Sequence, residues 1–254
     1  MAVYFDVSFP KGEVLDIKDT DINEGGTCRE SPIFTGDMSK LRKLSIEQCE
    51  TPESLDWLVD DVLASSCPTQ LQIIRYGHGV PFSPVSFARL VALSAKSLQK
   101  LDIDPPGRET VRGWDNPPPF TNQSFPSLMS LTFAVVQMHS DSESVFTMNW
   151  CRRVVEVFPP APKMTSLTIH FFASGPLQAD RIAADQSFDW KQLSERTSEL
   201  FPELKRFIIR VSYHKHFREG QRALSGALLK KRLEHFGNKL VIEWAGCRTV
   251  WTGF

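Results

Sequence analysis

The sequence predicts an α/β solenoid, a curved parallel sheet with helices on its convex side, and three observations carry that expectation. A short phrase recurs along the chain: an apolar residue, two positions, an apolar residue, one position, a third apolar residue. Segments with the 3.6-residue period of an amphipathic helix separate most copies. A doubly wound sheet would call for a glycine-rich phosphate-binding turn or a switch-point site, and neither is visible in the sequence. A solenoid needs a repeated phrase, and one is present.

The clearest copy is Leu41-Arg42-Lys43-Leu44-Ser45-Ile46-Glu47-Gln48-Cys49, which matches the L-x-x-L-x-L-x-x-C pattern of leucine-rich repeats. Full copies follow at Leu98, Leu101 and Ile103, at Leu128, Leu131 and Phe133, at Met164, Leu167 and Ile169, and at Leu204, Phe207 and Ile209. Two-position copies are Leu15 with Ile17, Leu71 with Ile73, and Leu240 with Ile242. Their reference residues are 15, 44, 71, 101, 131, 167, 207 and 240, so the steps run 29, 27, 30, 30, 36, 40 and 33. One such triple arises easily by chance. Eight in loose register do not. Each copy is short, rich in Ile, Leu and Thr, and alternates in period two, which reads as a strand.

The intervening segments carry helix signals in turn. Thr51 can cap and Pro52 can open a helix whose apolar face is Leu55, Leu58, Val59, Val62 and Leu63. Ser83-Pro84 repeats the start signal ahead of Phe87, Leu90, Val91, Ala95 and Leu98. Ser140 and Glu143 form a capping box before Phe146, Trp150, Val154 and Phe158. Asp189 and Gln192 do the same before Leu193 and Leu200. A last helix carries Leu224, Leu228, Leu233 and Phe236 and stops at Gly237. Two connections lack helical pattern, the proline-rich stretch from Pro105 to Pro126 and the stretch from Phe172 to Ser187.

With 254 residues the chain is long enough for a sizeable core, and a single domain over 1–254 is expected, its repeats beginning near residue 14. Twenty-nine Lys and Arg against 30 Asp and Glu leave a net charge of −1, which predicts no nucleic-acid partner and no anionic membrane surface. No apolar run approaches a membrane span, and Asp6 and Pro10 interrupt anything resembling a secretory signal. Five cysteines, none at C-x-x-C spacing, point to a reduced compartment, cytoplasm or nucleus.

Candidate chemistry is sparse. Asp19 to Glu30 places oxygen-bearing side chains at positions one, three, five and twelve of a calcium loop. Glu24 stands where that loop needs glycine, and Pro32 blocks the exit helix, so a solvated acidic loop is the expectation. His214 and His216 share a strand face but no third ligand can be named, so no metal is expected. Ser97-Leu98-Gln99-Lys100 spells S-x-x-K, yet Ser97 ends a helix rather than starting one and the partner motifs are missing. Lys230-Lys231-Arg232 reads as the solvated side of an amphipathic helix. No catalytic residue and no cofactor is expected.

The stretch from Ser31 to Ile46 resembles the repeat region of fungal F-box/leucine-rich-repeat proteins, and Phe125-Pro126-Ser127-Leu128 and Phe201-Pro202-Glu203-Leu204 are similar lead-ins to later strands. The resemblance covers the chain from about residue 14 onward. It implies the substrate-recognition region of a ubiquitin-ligase receptor, whose repeats grip a protein target. In that family an F-box precedes the repeats and docks on the ligase adaptor. No F-box is visible here, so an adaptor contact is expected only if one lies upstream.

The expected function is a non-catalytic protein-interaction module; the alternative is an α/β enzyme with a loop-built site, and strand order discriminates the two. In each phrase the residues flanking the apolar pair face the other side of the sheet, the concave face on which a solenoid binds its protein target. Those positions are Asp16 and Lys18, then Lys43, Ser45 and Glu47, then Gln70, Gln72 and Ile74, then Lys100, Asp102 and Asp104. Ser130 and Thr132 follow, then Ser166, Thr168 and His170, then Arg206, Ile208 and Arg210, with Lys239, Val241 and Glu243 last. Arginine beside an exposed apolar residue is the composition that binding hot spots favour. Arg206, Ile208 and Arg210 are therefore expected to dominate partner binding, with His170 and Thr168 adjacent and an acidic group at Asp102 and Asp104.

Overall fold

The repeated phrase forms strands. A computed structural model describes residues 13–17, 40–46, 70–76, 84–103, 124–135, 154–173, 190–213 and 219–246. Within them lie β1 (Val14–Ile17), β2 (Lys43–Ile46), β3 (Ile73–Tyr76), β4 (Lys100–Ile103), β5 (Ser130–Val135), β6 (Ser166–Ala173), β7 (Arg206–Tyr213) and β8 (Leu240–Gly246). Helices α1 (Pro84–Ser94), α2 (Trp190–Leu200) and α3 (Glu219–Arg232) fall between strands, with a 3₁₀ stretch at Glu234–Lys239. The chain is thus α/β, and its described strand pairings are parallel and join consecutive strands. By contact density it divides into two compact units, Met1–Leu128 with Pro159–Ala161, and Met129–Phe158 with Pro162–Phe254.

In the first unit, register places Leu15, Leu44, Ile74 and Leu101 side by side. In the second, Leu131, Leu167, Phe207 and Leu240 are side by side. The same backbone carbonyl, two residues before each of these positions, accepts two N–H groups from the next repeat. Glu13 O takes Arg42 N and Lys43 N at 2.8 and 2.9 Å, Arg42 O takes Gln72 N and Ile73 N, and Gln72 O takes Gln99 N and Lys100 N. Met129 O likewise takes Thr165 N and Ser166 N, and Thr165 O takes Lys205 N and Arg206 N, all four between 3.0 and 3.1 Å. This shared contact fixes where each strand starts. A one-residue slip would turn every apolar side chain to the opposite face.

The apolar triples are the core. From Leu41 to Ile209 the positions of the six described full copies keep 0–4% of their surface. One of the six corrects the sequence reading. The third repeat is centred on Ile74, not on the pair Leu71 and Ile73: Leu71, Ile74 and Tyr76 are buried, whereas Ile73 pairs with Lys43 and Lys100 on the other face. Two adjacent isoleucines fit either phase of a period-two pattern, and only pairing decides between them. Ile74 is accordingly a core residue and not a surface one. The neighbouring steps become 30 and 27 residues.

Helix α1 opens on Pro84, as its missing N–H favours, and buries Phe87, Leu90 and Val91, with Ala95 and Leu98 continuing the apolar line past its end. Phe87 meets Tyr76 edge to face at 5.2 Å. Helix α2 buries Trp190, Leu193, Ser194, Thr197 and Leu200, one stripe at helical spacing. The last helical segment buries Leu233 and Phe236 as expected and departs from expectation at Leu224 and Leu228. Leu224 and Leu228 are 70% and 46% exposed, and the buried row is Ser225, Leu229 and Leu233. The sequence carries two leucine rows one residue apart, and the helix can bury only one. Gly226 lies against Trp244 beside the buried row, where a Cβ would make an ordinary contact at 3.8 Å from the indole nitrogen. Gly237 ends the helical run with φ +53° and ψ −131°, a conformation open essentially to glycine alone. Phe236, just before it, stacks on Phe207 with ring centroids 3.7 Å apart.

The expected helix at 51–63, the capping box at Ser140 and Glu143, the Asp19–Glu30 loop, the His214–His216 pair, all five cysteines and most of the proline-rich connection lie outside the described residues. No described helix is long and apolar enough to cross a membrane.

Candidate functional site: the outer face of β6 to β8

Strands β6, β7 and β8 carry side chains alternately to the core and to the opposite face. On that opposite face register aligns Ser130, Ser166 and Arg206 in one row, and Thr132, Thr168, Ile208 and Val241 in the next. A third row holds His170, Arg210 and Glu243. Five of the seven residues expected to bind a partner, Thr168, His170, Arg206, Ile208 and Arg210, are therefore neighbours.

Glu243 organises the cluster. Its Oε2 accepts Arg210 Nε at 2.9 Å and Arg210 Nη2 at 2.8 Å, and its Oε1 accepts Arg206 Nη2 at 3.3 Å. The side chains keep 55% (Arg206), 40% (Arg210) and 32% (Glu243) of their surface. Charge-assisted contacts of this kind orient a guanidinium more sharply than they stabilise the fold, because solvent screens half-exposed charges. His170 Nε2 lies 2.7 Å from Ser212 Oγ, one strand across and two residues beyond Arg210. Ser212 is buried, so the contact holds the imidazole in place and does not present the hydroxyl to solvent.

Ile208 corrects the expectation of an exposed apolar anchor. It keeps 4% of its surface, as does Thr168. Register explains this: Thr168 and Val241 flank Ile208 laterally, and Arg206 and Arg210 stand two residues away on either side along β7. The centre of the face is thus dry and its edges are charged. The two acidic positions fall elsewhere. Asp102, in the first unit, accepts Lys100 Nζ at 2.9 Å through Oδ2 and faces Arg75 across the β3–β4 pair. Asp104 lies outside the described residues.

Sequence reasoning placed Glu243 on this face but gave it no role, and it passed over Ser212 entirely. Each sits at an alternating strand position, so period two alone points them to this side. Their partners, 33 and 42 residues away, follow only from pairing register. Lys230, Lys231 and Arg232 are exposed on α3, as the solvated-face reading expects. Ser97 Oγ donates to Leu71 O at 2.8 Å and Ser94 O at 3.2 Å, a tie between successive repeats. Ser127 makes a similar tie to Lys96 O at 2.8 Å. Searches against models of protein families, curated proteins and solved structures return no match for this chain.

Proposed function

We propose that this chain is a non-catalytic protein-interaction module, a leucine-rich-repeat-like solenoid that grips a protein target on its sheet face. The observation that supports it most is the equivalence of the repeats: one carbonyl position in successive units accepts the same pair of N–H groups. Consecutive pairing along the chain also favours a solenoid over a doubly wound sheet, whose ligand crevice depends on a reversal of strand order. The binding surface in this reading is the β6–β8 face, with Arg206 and Arg210 as its dominant residues, His170 beside them, and Ile208 and Thr168 as the dry floor beneath.

The resemblance of the Ser31–Ile46 stretch to F-box/leucine-rich-repeat proteins supports a narrower form, the substrate-recognition region of a ubiquitin-ligase receptor in the cytoplasm or nucleus. Contact with the ligase adaptor belongs to that form only where an F-box lies upstream. Affinity purification from the native host, with mass-spectrometric identification, compares the wild type with Arg206→Ala/Arg210→Ala. The expected result is loss of a specific protein, since a hot-spot arginine contributes about 2 kcal/mol. Undiminished recovery by a folded variant moves the site off this face, most directly to the proline-rich connection at 105–126. Recovery of a ligase adaptor only when upstream sequence is included would carry the receptor form.

A further inference from the structure

The geometry points to a carboxylate-rich peptide segment as the partner that the β6–β8 face takes, with Glu243 as an internal stand-in for one of its carboxylates. This rests on the protein-interaction reading and names the chemistry of the partner.

A guanidinium has five N–H donors in a fixed fork. Glu243 uses one from Arg206 and two from Arg210. Two guanidiniums against one carboxylate leave the cluster positively charged, and both arginines remain partly exposed. They are already turned toward an oxygen acceptor, so a second carboxylate meets oriented donors and less side-chain freedom is lost on binding. Ile208 and Thr168 lie between the rows and form a buried floor between the charged groups. Ser166 and Ser130 extend the Arg206 row by one and two strands, at about 4.8 Å per strand, and offer hydroxyl donors to neighbouring acidic residues.

The charge balance of the described face supports the same partner. Among the described strand residues of the second unit, Arg206 and Arg210 face outward against Glu243, two cations to one carboxylate. A nucleic-acid backbone is a poorer fit, because it calls for a sustained basic stripe, and here a carboxylate sits at the middle of the cluster.

The test uses the full chain and a rhodamine-labelled hexaglutamate peptide, with hexaglutamine as control, read by fluorescence anisotropy. At low salt hexaglutamate should bind about tenfold more tightly than hexaglutamine, and the margin should shrink as salt screens the contact. Glu243→Gln releases both guanidiniums and should tighten hexaglutamate binding about three- to tenfold. Arg206→Gln/Arg210→Gln should weaken it at least about tenfold, whereas Lys230→Gln/Lys231→Gln on α3 should leave it unchanged. Circular dichroism checks each fold, and Arg210→Lys, which keeps the charge but loses the two-bond contact, replaces the double variant if that one unfolds. Its expected loss is about threefold. Equal binding by the arginine variants, a Glu243→Gln variant no tighter than wild type, or an equal loss from the α3 lysines overturns the inference. If the protein partner still depends on Arg206 and Arg210 while hexaglutamate does not bind, only the acidic chemistry fails and the interaction module stands.

Discussion

The four strands of the first unit are four residues long each, whereas those of the second run six, eight, eight and seven. The described strands of the second unit therefore offer more outward positions. Each four-residue strand sends two side chains outward, as β4 does with Lys100 and Asp102, which keep 46% and 16% of their side-chain surface. The eight-residue β7 sends out four, Arg206, Ile208, Arg210 and Ser212. Its inner positions are shielded along the strand as well as across it, so Ile208 is dry while Arg206 and Arg210 reach solvent. The described residues of β4 hold a Lys–Asp pair within one strand. The longer β7 and β8 hold a cross-strand cluster on a dry floor.

The largest expected effects test whether the two units share one kind of core despite this difference. Leu44→Ala and Leu167→Ala remove equivalent, fully buried side chains, and each should cost about 2–5 kcal/mol in urea denaturation. A cost below 1 kcal/mol in either would break the equivalence of the repeats. Next comes Gly237→Ala, which forces an alanine into a left-handed conformation just before β8 and should cost about 1–3 kcal/mol. A neutral result by thermal melting would mean that the backbone there relaxes freely. Gly226→Ala should have the opposite sign. Its new Cβ makes an ordinary contact with Trp244, and alanine's helix propensity should add about 0.5–1 kcal/mol of stability. The smallest effect sharpens the contrast between the two ion-pair systems. A double-mutant cycle on Arg210 and Glu243 should give about 0.5–1 kcal/mol, falling in high salt, because the pair is half exposed. The Lys100–Asp102 cycle should give less, since an ammonium makes a single point contact where the guanidinium makes two. Equal couplings would remove the two-bond guanidinium contact as the source of the difference.

The amino-acid sequence by itself determined the succession of parallel strands, the phase of seven of the eight strand phrases, and the buried faces of α1 and α2. Those properties follow from local spacing: period two for strands, three to four for helices, and Pro84 at a helix start. Where local spacing offers two answers, tertiary structure chose. Ile73 and Ile74 fit either strand phase, and pairing with Leu44 and Leu101 selected Ile74. Leu224 and Leu228 compete with Leu229 and Leu233 for the core, and the helix buried the second row, with Gly226 against Trp244. The outer-face residues were legible as a set, because alternation assigns each to a side of the sheet. Their relations were not. Glu243 joins Arg206 and Arg210, and Ser212 meets His170, through contacts 33 to 42 residues apart in the chain. Such distances are set by loop lengths and strand register, and no local pattern encodes them. Burial of Ile208 has the same origin: exposure on a sheet face depends on neighbours contributed by other strands, which only the folded chain brings together.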